Sequence, residues 1–159
     1  MVEGERVVKQ ALISGWMPKY LIYLAGREND SESKKMILKC LKLKVVVLEV
    51  STKILSKISR KDNPQMILGV FDYKYTSLLD ALKINNTWVA LDRVRDPGNL
   101  GTIIRTCDAV GAEGVILIGN CCDPFSPEST RASMGAIFSL KIVKTELNDF
   151  LKSIKFWKG

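Results

Sequence analysis

Residues 91–111 read Leu-Asp-Arg-Val-Arg-Asp-Pro-Gly-Asn-Leu-Gly-Thr-Ile-Ile-Arg-Thr-Cys-Asp-Ala-Val-Gly. The apolar run Trp88 to Asp92 leads in as a strand, and Asp96-Pro97-Gly98-Asn99 is turn chemistry. Leu100 to Val110 then carries a helical apolar spacing that Gly111 closes. Asn99 is the candidate N-cap, and Gly98 and Gly101 allow backbone or ligand to approach closely. A helix start presents free N–H groups and the positive end of the dipole, which suits an anion or a ligand carbonyl. Arg105 stands about 1.7 turns beyond Asn99, among the apolar Ile103, Ile104 and Cys107. An arginine in that setting is either ion-paired or functional. Taken alone, the stretch is also compatible with an ordinary strand-turn-helix carrying a surface arginine, and it is neither a G-x-G-x-x-G nor a Walker loop.

Downstream the alternation continues. Gly114 to Ile118 reads as a strand, Asn120 to Pro127 as a loop, Glu128 to Met134 as a short helix, Ile137 to Val143 as a strand and Glu146 to Ile154 as a helix. Upstream, residues 4–15 form a helix, Tyr20 to Leu24 a strand, and residues 33–43 an amphipathic helix. Lys44 to Val50 is a buried β-branched strand, Ser51 to Ser59 a helix, and residues 65–72 a strand. Residues 73–86 look like a boundary. This predicts two α/β units: 1–75, a linker at 76–86, and 87–159.

The 159 residues are 47% hydrophobic and 26% charged, which is globular composition. No run approaches the about 18 apolar residues of a membrane span. The acidic start Met1-Val2-Glu3-Gly4-Glu5 lacks the basic and apolar regions of a signal peptide, so a cytoplasmic location is expected. There is no histidine, which removes Ser-His-Asp and Cys-His nucleophile pairs and every imidazole metal site. Cys40, Cys107, Cys121 and Cys122 form no C-x-x-C, so no metal is expected and the thiols read as reduced and mostly buried. Residues 1–86 carry 15 Lys/Arg against 9 Asp/Glu, whereas residues 87–159 carry 9 against 8. A basic first half suggests a polyanionic partner, with a generic lysine-rich surface as the plainer alternative. Lys34, Lys35, Lys39, Lys42 and Lys44 either track RNA phosphates or form the solvent face of their helix. Tyr20, Tyr23, Tyr73 and Tyr75 either stack on bases or pack internally.

The string Leu91-Asp92-x-x-x-Asp96-Pro97-Gly98-Asn99-Leu100-Gly101-x-x-x-Arg105-Thr106, followed by Arg131-Ala132-Ser133-Met134-Gly135-Ala136, closely resembles the first motif region of the SpoU (TrmH-like) RNA 2′-O-ribose methyltransferases. These belong to the SPOUT class, with a C-terminal trefoil knot. Val2 to Val8 and Asn63-Pro64-Gln65 resemble that family's substrate-binding domain, which folds like ribosomal proteins that grip kink-turn RNA.

The resemblance implies an α/β fold: a small ribosomal-protein-like RNA-binding domain, then the first half of a knotted domain with a mainly parallel sheet. It implies methyl transfer from S-adenosyl-L-methionine to a ribose 2′-hydroxyl, in ribosomal RNA sooner than transfer RNA, by a homodimeric enzyme. Arg105 takes the place of the family's motif arginine beside that hydroxyl, with Asn99 shaping the same pocket. A guanidinium stays protonated at neutral pH. Holding the phosphate-ribose unit and stabilising a developing alkoxide therefore suits Arg105 better than proton abstraction. Arg131 and Ser133 are candidate RNA contacts or site wall, Lys35, Lys39 and Lys42 candidate RNA contacts or solvent face, and the resemblance also allows the family's RNA-contacting loop to lie around Arg27 or Arg60-Lys61. The Pro124-Phe125-Ser126-Pro127 loop reads as structural.

In the family the cofactor pocket comes from two later motifs, a Gly-x-Glu segment and a Ser-x-Asn segment. Neither follows residue 135 here. The expectation is that these 159 residues alone neither bind the cofactor nor catalyse. The rival readings are a non-catalytic module for structured RNA and a small-molecule or protein-interaction domain.

Overall fold

The computed structural model describes residues 1–59, 62–83 and 86–155. The expectations that fall on Arg60, Lys61 and Asn85 lie outside these residues. The chain divides into two compact units between Asp72 and Tyr73.

In the first unit the order is β1 (Val2–Glu3), α1 (Glu5–Ile13), β2 (Tyr20–Leu24), α2 (Ser31–Lys42), β3 (Val46–Val50), α3 (Thr52–Ser59) and β4 (Ile67–Val70). A 3-10 turn, Arg27–Asn29, separates β2 from α2. Asp30 caps α2 by accepting from Ser33 N–H at 3.0 Å, as the polar loop before that helix suggested. The sheet order is β1-β4-β2-β3. Strands β2 and β3 run parallel, but β4 is antiparallel to both β1 and β2. Ile22, Leu55 and Leu68 are the centre of one face, joined by Leu24, Val50 and Ile58. Side chains alternate along a strand, so Leu21 and Tyr23 point the other way. They are buried together with Val8, Ala11 and Leu12 of α1 and Met36, Ile37 and Cys40 of α2.

One expectation differs here, and one strand had no counterpart in the pattern. The strand over 44–50 is not buried: β3 is an edge strand with Val46 and Leu48 exposed. β-branched runs report strand propensity, and edge strands share it with central ones. The two-residue β1 is too short to leave an apolar pattern.

The second unit runs α4 (Leu78–Ala81), β5 (Trp88–Asp92), α5 (Pro97–Ala109), β6 (Gly114–Ile118), α6 (Pro127–Ala132), β7 (Lys141–Thr145) and α7 (Leu147–Ile154). Its three strands are all parallel in the order β5-β6-β7. Central strand β6 is buried at every residue. On one face Ile116, Ile118 and Val143 pack with Ala81 of α4, and Leu78, Trp88 and Phe150 lie against them. The segment read as a linker therefore contributes a core residue, Ala81, to this unit. Val115, Leu117 and Ile142 point to the opposite face, and they are buried along with Leu100 and Ile104 of α5.

The strand expected over 137–143 is shifted. Gly135 enters a left-handed conformation at φ 97°, and Ala136–Phe138 form a buried 3-10 turn. The strand begins only at Lys141. A short apolar run does not distinguish a buried turn from a strand.

Candidate functional site

All three strands of the second unit end on one edge, at Asp92, Ile118 and Thr145. In open parallel sheets that edge is where ligands bind. The chain leaving β5 turns at Arg93, which adopts φ 52°, and Arg93 N–H donates to Ile118 O at 3.1 Å. Its guanidinium grips its neighbour Asp92 through Nε at 3.0 Å and Nη2 at 2.6 Å. That hydrogen bond and charge hold the Asp92 carboxyl below its usual range. The loop leaving β6 turns at Gly119 with φ 63° and is tied down where Cys122 N–H donates to Val94 O at 2.8 Å.

Helix α5 starts earlier than its apolar spacing implied. Asp96, not Asn99, is the N-cap, accepting from Asn99 N–H at 2.6 Å, and Pro97 takes the first helical position. The Asp-Pro step carried the signal, since proline suits a first helical turn and aspartate a cap. Asn99 is thereby the third residue of the helix, exposed at its mouth. Arg105 lies on the exposed side of α5 and has no ion pair among the described residues. Six residues place it about 9 Å along the axis from Asn99 and about two-thirds of a turn around. The two share the helix but not one face of it.

Gly101 has a clear structural task. A methyl there would stand 2.3 Å from Ser129 O, 2.6 Å from Ala132 Cβ and 2.9 Å from Ser133 N. The close approach it permits is that of α6, not of a ligand. Helix α6 is capped by Ser126, which accepts from Ser129 N–H at 3.2 Å. Before it, Asp123 accepts from Phe125 N–H at 2.9 Å. Phe125 is buried and stacks on Tyr73, with Tyr75 meeting it edge-on at 5.4 Å between centroids. Both tyrosines are thus engaged in packing, and the Pro-Phe-Ser-Pro loop is structural, as read. Tyr23 likewise donates to Glu49 at 3.0 Å.

Between the start of α5 and α6 opens a cleft of about 490 Å³ lined by Pro97, Cys122, Asp123, Ser126, Glu128 and Arg131. Arg131 is exposed there and has no ion pair among the described residues. Burial pushes the Cys122 thiol above its usual value, so it enters the cleft as a neutral group. Nothing in the spacing of Cys122, Asp123 and Glu128 marks them as cleft residues; only the fold brings them there. Ser133 is buried, and its hydroxyl donates to Thr130 O at 2.8 Å, closing the end of α6.

In the first unit, Lys35 pairs with Glu32 at 3.0 Å, and Lys39 donates to Leu12 O at 3.2 Å, the carbonyl near the end of α1. Lys42 is exposed without a partner among the described residues. The three lysines do share one helix, but two of them already hold protein groups. Among the described residues no group of His, Cys, Asp or Glu is placed to hold a metal ion, and no helix is long and apolar enough to cross a membrane.

Comparison with known proteins bears on both units. Residues 86–157 match the SpoU rRNA Methylase family, and residues 1–69 match the MRM3-like substrate binding domain. A 23S rRNA (guanosine(2553)-2'-O)-methyltransferase of Bacillus subtilis is 30% identical over 155 residues, covering 98% of this chain and 58% of its own length. The human mitochondrial rRNA methyltransferase 3 is 33% identical over 90% of this chain and 34% of its own. The AdoMet-bound rRNA methyltransferase of Sinorhizobium meliloti superposes with a TM-score of 0.81 at 44% identity, over 97% of this chain and 57% of that one. The chain spans about half the length of the bacterial relatives it matches.

Proposed function

Since the chain belongs to the SpoU rRNA methylase family, with an MRM3-like substrate-binding domain at residues 1–69, we propose that it takes part in transferring a methyl group to a ribose 2′-hydroxyl of ribosomal RNA. The observation that carries the reading is the exposed Arg105 on α5, which has no ion pair among the described residues. The helix holding it is fixed by the Asp96 cap and by the Gly101–α6 contact. In this assignment the first unit binds the RNA, and Arg131 holds a phosphate at the cleft. Arg105 orients the phosphate-ribose unit and stabilises the oxygen as its proton leaves. Asn99 lines the approach at the helix mouth.

S-adenosyl-L-methionine supplies an already activated sulfonium methyl when bound. The cleft at the strand ends offers a guanidinium, carboxylates and a thiol, with only prolines for apolar lining. It fits phosphate and ribose, not the adenine ring, so no step is assigned through the cofactor on these residues. Homodimerisation and a cytoplasmic location belong to the same proposal, the first as the family resemblance implies and the second as the acidic start of the sequence suggests.

The test is the position of the methyl. Labelled S-adenosyl-L-methionine is incubated with ribosomal RNA and the protein, both alone and followed by the remaining part of the Sinorhizobium meliloti relative. The nucleosides released by digestion are then identified. A 2′-O-methyl nucleoside supports the reading. Methylation of a base, or none by the extended chain, overturns it. The non-catalytic alternative predicts salt-sensitive RNA binding with no methyl transferred by either form.

A further inference from the structure

Arg27, in the 3-10 turn after β2, is anchored by one edge only. Its Nη2 is 3.0 Å from Glu5 Oε2 and 3.7 Å from Asp30 Oδ2. Its Nε is buried and has no acceptor among the described residues. Buried donors in folded proteins are nearly always paired, so an orphan of this kind asks for a partner. The same side chain lines a cleft of about 240 Å³ with Glu5, Asn63, Pro64, Gln65 and Ile67. The cleft is held open by the backbone. Gly4, with φ 102°, donates to Ile67 O at 2.9 Å and starts α1 against β4. A side chain at Gly4 would meet Gln65 Oε1 at 3.5 Å.

We propose that this cleft receives a single unpaired guanine of the RNA substrate; the proposal rests on the reading above that the protein acts on RNA. The volume lies below the about 300–1,000 Å³ of a drug-sized pocket, which suits one planar base and not a whole nucleotide. A carboxylate and a guanidinium side by side match the polarity of guanine. Its N1–H and N2–H groups donate to the Glu5 carboxylate. Its O6 and N7 accept from Arg27, turned so that its unpaired Nε–H is satisfied, and from the amides of Asn63 and Gln65. Adenine presents a donor where guanine has O6 and lacks the N2 amino group. Pro64, and Met66 beside it, give an apolar surface for the ring face. A base inside a duplex cannot turn its edge into such a cleft, so the recognised base is unpaired.

The experiment is fluorescence anisotropy on the 159-residue protein with a short RNA hairpin carrying one unpaired nucleotide, in four versions differing only in that base. The guanine version binds about tenfold tighter than the adenine version, within the range of one good base contact. Asn63→Ala with Gln65→Ala, at exposed positions, reduces that preference while the melting temperature of the protein stays unchanged, and Glu5→Gln reduces it as well. Equal binding of all four hairpins, preference for another base, or a guanine preference untouched by these substitutions overturns the proposal while leaving RNA binding standing. Failure of every hairpin to bind at low salt overturns the RNA reading itself.

Discussion

The two units use the same ingredients, strands alternating with helices, and spend them differently. The second unit buries its central strand completely, and its motif helix α5 lies so close to α6 that position 101 admits only glycine. The first unit leaves β3 at the sheet edge with Val46 and Leu48 exposed, and spreads its positive charge over lysines that are partly engaged by Glu32 and by the end of α1. Where packing is tight, each residue of a motif has one job. Where it is open, charge is distributed over the surface instead of placed.

This contrast can be broken by experiment. Leu117, on β6, is 1% exposed, and Leu48, on β3, is 42% exposed. Leu117→Ala is expected to cost about 2–5 kcal/mol in chemical denaturation, and Leu48→Ala no more than about 0.5 kcal/mol. Similar costs for both would erase the distinction between the units. Gly101→Ala forces a methyl against the backbone of α6 and should destabilise by about 3 kcal/mol, the upper end for overpacking. A variant that melts with the wild type would show that α6 yields easily. Asp96→Ala removes the cap of α5 and should cost about 1 kcal/mol, with Asp96→Asn recovering most of it, because asparagine caps as well.

The smallest effect concerns Glu113. Its carboxyl is held below the usual range by the hydrogen bond from Lys141 and a second from Asn86 at 2.8 Å. A carboxyl with a lowered folded-state pKa stabilises fully above its unfolded value, near about 4.3, and the contribution fades as pH falls through the folded value. Glu113→Gln should therefore lose well under about 1 kcal/mol at neutral pH and progressively less as pH falls through the folded-state value. Loss of equal size at neutral and acid pH would assign the effect to packing.

Much of this was legible in advance, for physical reasons. The strands at 20–24, 88–92 and 114–118 occupy the residues expected, because each is a short apolar run bounded by turn chemistry. Arg105 is exposed and has no ion pair among the described residues, which speaks against one alternative its neighbours left open, that of an ion-paired arginine. What the pattern did not carry was tertiary. Edge or centre cannot be told from the residues of β3 alone. The antiparallel turn of β4 depends on which strand it meets. Ile137 and Phe138 are as apolar in a buried 3-10 turn as they would be in a strand. The apolar spacing of α5 begins three residues after the helix itself, so the pattern points to Asn99 and not to Asp96 as the cap. The cleft residues Cys122, Asp123 and Glu128 come together only through the fold, as does the closeness of Arg27 to Glu5, which are 22 residues apart.

The central claim is that Arg105 acts on the reacting ribose and not on RNA capture. The direct measurement is methyl transfer and RNA affinity in parallel for Arg105→Ala and its parent, both in the form extended by the Sinorhizobium meliloti remainder. The account predicts methyl transfer lowered by about 100-fold or more, as for loss of one group that stabilises a developing oxyanion, with RNA affinity nearly unchanged. Unchanged turnover, or a fall in turnover matched by an equal fall in RNA affinity, would contradict it.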